Sequence, residues 1–227
     1  LAWHSRDRVN QRDQLFRAIR LGSRYPRATP WTEQIADREK ATQRIPESAD
    51  AWYYLGDGLF HWGTLADVPD ADARARQAFE QAFQRDSLFG GPITHLARLA
   101  FGASDTAAQR LWTRRELALD STAEYVPNAR WDLLAATRDE PGIHAFLSKL
   151  DSLPSGLLLF TVFQNQLDSV TIAHQPELLA AAHRRATATN DRSWVADAEI
   201  RLLWNRGRPS EAGKWLDTLR GLDAGWG

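Results

Sequence analysis

The chain has 227 residues, a net charge of −1 and 43% hydrophobic residues, enough to bury a core without disulfide or metal staples. No apolar run approaches the ~20 residues of a membrane span, and near-neutral charge gives no reason to expect nucleic acid as a partner. With no cysteine, thiol catalysis, iron–sulfur clusters, disulfides and Cys-ligated zinc are excluded. Methionine is absent as well, so the chain reads as a processed product or a piece of something longer.

Apolar residues recur at three and four rather than at two, which predicts helices throughout. A first pair spans roughly Arg6 to Arg20 and Trp31 to Arg44, broken by Gly22, Pro26 and Pro30. In the second pair Trp52, Leu55, Gly56 and Leu59 share one face and Ala75, Phe79, Ala82 and Phe83 another, with a loop from Gly63 to Asp72 between them. Ile93, Leu96, Ala97 and Ala100 repeat the first face, followed by Leu111, Trp112 and Leu119. Trp131, Leu134 and Ala135 face Ile143, Phe146, Leu147 and Leu150; residues 157–163 face Leu178, Leu179 and Ala182. Last come Ile200, Leu203 and Trp204 against Ala212, Trp215, Leu216 and Leu219. Pro141, Pro176 and Pro209 are expected in first turns, with Asp105, Asp191 and Ser210 as N-caps.

Breaks at Pro46, Ser87, Ser121, Ser155 and Thr189 are spaced by 41, 34, 34 and 34 residues, and a constant period of this size points to stacked repeats. The expectation is all-α: about twelve helices in six hairpins, at about 6–46, 47–87, 88–121, 122–155, 156–189 and 190–224, in one domain over 1–227.

Trp52-x2-Leu55-Gly56-x2-Leu59, followed by Ala75-x3-Phe79, Ala82 and Asp86-Ser87, resembles the tetratricopeptide repeat. Asn205-Arg206-Gly207-Arg208-Pro209 looks like the turn of the same repeat. The match departs at Leu59, where an aromatic is usual, and at Ser87 and Ser121, where the closing proline is usual. This resemblance implies a right-handed α-solenoid. More narrowly, residues 49–63, 78–87 and 95–100 are similar to the repeat region after the catalytic domain of bacterial serine/threonine protein kinases. No kinase signature is present, so the resemblance implies a non-catalytic interaction or sensory region on either side of the membrane of a tethered parent.

The chemistry-bearing residues are sparse. Six histidines, at 4, 61, 95, 144, 174 and 183, form no His-x3-His pair, so no metal, cofactor or catalytic group is expected. Asp67, Asp70 and Asp72 lack the EF-hand ligand order and read as a solvated loop with an N-cap at Asp70 or Asp72. The first helix of each stacked hairpin lines the concave surface, which nominates Tyr53, Asp57, Phe60 and His61, then Thr94, Arg98 and Phe101, then Asn128 and Asp132. Such a groove suits an extended peptide or a partner helix. The second reading is a structural accessory subunit of a larger, membrane-associated assembly, with Trp3, Trp31 and Trp226 as interface anchors.

Overall fold

A computed structural model describes residues 10–119, 126–153, 158 and 169–223. All regular structure among them is helical. The chain divides into two compact units, residues 1–119 and 120–227.

The first unit holds α1 (Gln11–Leu21), α2 (Trp31–Arg44), α3 (Ala49–Trp62), α4 (Ala71–Arg85), α5 (Gly90–Gly102) and α6 (Thr106–Leu119). Each helix packs on its neighbour in the chain, and α3 also touches α1 and α5. Its apolar stripe at Leu55 and Leu59 meets Ile35, Ala75, Ala78, Phe79, Leu96 and Leu99 in one core. The tight point is Gly56: a Cβ there would lie 2.7 Å from the ring of Phe79, itself fully buried. Burying that phenylalanine is worth about 1.5–3 kcal/mol, and it requires the missing side chain opposite.

Local chemistry sets the helix ends. Ser48 caps α3 by accepting from the Ala51 N–H at 3.2 Å, and Asp105 caps α6 by accepting from Ala108 at 3.0 Å. Asp70 precedes α4 with φ +51° and makes no side-chain cap bond. The indole Nε1 of Trp52 donates to the Pro46 carbonyl at 2.8 Å, and Arg85 Nε, at the end of α4, donates to the same oxygen. Trp31 stacks on Trp62 with centroids 3.9 Å apart, so one of the nominated anchors is occupied within the unit. Trp3 and Trp226 lie outside the described residues.

In the second unit, α7 (Val126–Thr137) and α8 (Glu140–Leu147) precede a 3-10 turn at Leu150–Ser152, followed by α9 (Ser169–Arg185), α10 (Thr189–Asn205) and α11 (Pro209–Asp223). Trp131 is fully buried, its Nε1 donating to Thr171 Oγ1 at 2.8 Å, among Ile143, Leu150, Leu158, Leu178, Leu179, Val195, Ala198 and Leu202. Most of the apolar segment predicted at 157–163 lies outside the described residues; Leu158 is in this core.

Several predicted details change. Pro176 lies inside α9 rather than at its start, where it withholds one N–H from the helix ladder; both it and Ile172, four residues earlier, are exposed. α10 starts at Thr189 and α11 at Pro209, which puts Asp191 and Ser210 inside the first turns rather than at N-caps. Trp204 is 67% exposed, and Leu111 and Leu216 are also exposed. The inward stripe of α10 runs through Val195, Ala198 and Leu202, and Trp204, two residues past Leu202, is turned about 200° from it.

Three helices end in the same six-to-one turn. Gly207 provides its left-handed residue after α10, where Arg208 N–H bonds Leu203 O at 2.9 Å. After α5 and α7 the same position falls to Ser104 (φ +57°) and Arg138 (φ +52°), which carry a Cβ penalty.

Two stability predictions follow from this packing. Gly56→Ala lowers the thermal midpoint, because displacing Phe79 costs about 1–3 kcal/mol, more than the ~1 kcal/mol that alanine gains in a helix. Arg138→Gly raises stability by about 0.5–1 kcal/mol, the strain relieved less the entropy glycine loses. Denaturant unfolding followed by circular dichroism measures both.

Candidate functional site

On α3, Tyr53, Asp57, Phe60 and His61 follow one another at four, three and one residues, so they share a face. That face looks toward α5, where the sequence reading nominated Thr94, Arg98 and Phe101. The residue that meets it is His95. Asp57 Oδ1 lies 3.5 Å from His61 Nε2 and 3.8 Å from His95 Nε2. The other oxygen, Oδ2, lies 3.7 Å from Nη1 of Arg38 on α2.

His95 is held on every side. Its Nδ1 is 2.8 Å from the Gly91 carbonyl, which can only accept, so Nδ1 carries the proton. The ring stacks on Phe79 at 4.6 Å and meets Phe60 edge-on at 5.1 Å. Burial pulls its pKa below the ordinary histidine value, with the Gly91 bond and Asp57 opposing. A neutral ring with its proton on Nδ1 presents the Nε2 lone pair to the Asp57 carboxylate, so two acceptors face each other.

Arg38 is 8% exposed at its side chain. Its Nε donates to the Ile19 carbonyl at 3.3 Å, while Nη1 makes no hydrogen bond. Burial lowers its pKa and the Asp57 charge opposes this. Space for the guanidinium depends on Gly58, where a Cβ would sit 2.2 Å from Nη1. Burial likewise pushes the Tyr53 hydroxyl upward, with the nearby Asp57 charge adding to it. His61 is the open member, 43% exposed at its side chain.

Thr94 turns away from this group and donates to Glu116 of α6. Glu116 is buried, which raises its carboxyl pKa; the Thr94 bond and the Arg98 charge oppose the rise. Phe101 is half-buried on α5. In the second unit Asn128 is buried and Asp132 half-buried on α7.

The sequence reading placed Tyr53, Asp57, Phe60 and His61 on one face and did not select His95, Arg38 or Glu116. Asp57-x3-His61 has the helical i, i+4 spacing of a ligand pair, a signal legible in the sequence itself. No protein-family model matches the chain, and no curated protein matches it.

Glu116 gives a pH prediction. Its folded pKa is raised, so its contribution to stability is full below the ordinary carboxylate value and is lost as pH rises through the raised one. Glu116→Gln, which retains an acceptor for Thr94, raises the thermal midpoint at pH 7. The gain disappears below about pH 4.3, where both states are protonated. Melting curves of the two proteins across this range test the sign.

Proposed function

We propose that the chain is a non-catalytic interaction or sensory module of tetratricopeptide-like hairpins, part of a bacterial signalling protein such as a serine/threonine kinase. The supporting observation is the α3 face. Two aromatic rings, a carboxylate and an exposed imidazole stand together beside α5, a mixture of anchors and hydrogen-bonding groups suited to an extended peptide. The contacts of α3 with both α1 and α5 accord with first helices stacked side by side in a solenoid. Nothing in the charge balance calls for nucleic acid. Among the described residues no helix is long and apolar enough to cross a membrane.

A second reading, a structural accessory subunit, draws on Trp204, which is 67% exposed, and on the part-exposed Trp194 of the same helix. Exposed tryptophans of this kind are common anchors of permanent interfaces.

Substitution separates the two. On the first reading, Asp57→Ala with His61→Ala weakens capture of the physiological partner by tenfold or more, about 1.4 kcal/mol, while helical content is unchanged. Trp204→Ala leaves that capture intact. Loss of the complex on Trp204→Ala, with the α3 double variant still bound, overturns the groove and supports the accessory role.

A further inference from the structure

Asp57, His61 and His95 place three ligand atoms within 4.8 Å of one another, and we propose that they bind a divalent transition-metal ion of the zinc class, with a fourth position open to water. The donor set, two imidazole nitrogens and one carboxylate oxygen, is the kind that zinc and its neighbours favour. Bonds of about 2.0–2.1 Å in a tetrahedron set donors about 3.3–3.4 Å apart. The Asp57 oxygen is already 3.5 Å and 3.8 Å from the two imidazole nitrogens. The remaining adjustment falls to His61, the exposed member at the end of α3.

Three further features fit a cation. The Gly91 carbonyl accepts a hydrogen bond from Nδ1–H of His95 and so directs its Nε2 lone pair inward, the arrangement that fixes ligating histidines. Arg38 approaches the other carboxylate oxygen, leaving Oδ1 for the metal. The rings of Phe60, Phe79 and Tyr53 surround His95 and hold it in place, which lowers the ordering cost of ligation.

The site ties α3 to α5, two helices from successive hairpins, and leaves one coordination position facing solvent beside His61. The proposal does not rest on the peptide-groove reading, and its test uses the metal ion alone.

The metal-free full chain is titrated with Zn2+ by calorimetry and with Co2+ by visible absorption, the latter reporting coordination geometry. The expected result is one equivalent bound, Co2+ bands of four-coordinate intensity, and a higher melting midpoint with Zn2+. Asp57→Asn, His61→Ala and His95→Gln each weaken binding about tenfold or more. Since His61 is exposed, its variant folds whether or not the buried His95 tolerates change. His174→Gln, removing a histidine whose ring lies 6.3 Å from that of His144 in the second unit, leaves affinity unchanged. Absence of saturable binding, binding by His61→Ala and Asp57→Asn equal to that of the unaltered chain, or loss confined to His174→Gln would overturn the assignment.

Discussion

The ring of Phe79 is shared between two demands, and the first unit is organised around it. On one side it fills the space that Gly56 leaves on α3; on the other it stacks under the imidazole of His95. Close packing of α3 on α4 therefore sets the height at which α5 presents its histidine. A change of packing at a residue with no side chain is transmitted through one aromatic ring to the polar cluster, with no hydrogen bond in the path. Cores packed to crystal-like density pass on displacements in this way.

Against that apolar frame the buried charges are costly, and the structure spends its polar contacts on them. Arg38 has a carboxylate and a backbone carbonyl but leaves one nitrogen without a hydrogen bond. Glu116 has Thr94 and the field of Arg98, and desolvation still dominates its titration. Removing one partner of such a group is more damaging than replacing the whole arrangement by apolar side chains. These buried charges lie on α2 and α6, on either side of the α3–α5 contact.

Much of the helix pattern was legible because it rests on local signals. Trp31 and Arg44 bound α2 as expected, Asp105 caps α6, and Gly207 makes the turn that its neighbours announce. Each residue turns a helix face by 100°, which carries Trp204, Leu111 and Leu216 into solvent although they are apolar. The polar cluster was half legible: the α3 face follows from spacing, whereas Arg38 and His95 reach it from other helices, and no local pattern records such a meeting. Pro176 shows the opposite failure. A strong local signal for a helix start is overridden at an exposed position inside α9.

The oxygen of Pro46 carries a consequence for how the first unit comes apart. It accepts from an indole at the start of α3 and from a guanidinium at the end of α4, and Arg85 also lies over the Trp52 ring at 5.0 Å. The connection between α2 and α3 is thereby latched to the start of α3 and to the end of α4. Amides at the end of α4 and at the start of α3 then share one opening event in hydrogen exchange, where frayed ends would otherwise exchange singly. Cooperativity in this part of the chain is carried across the seam by an exposed carbonyl, outside the apolar core.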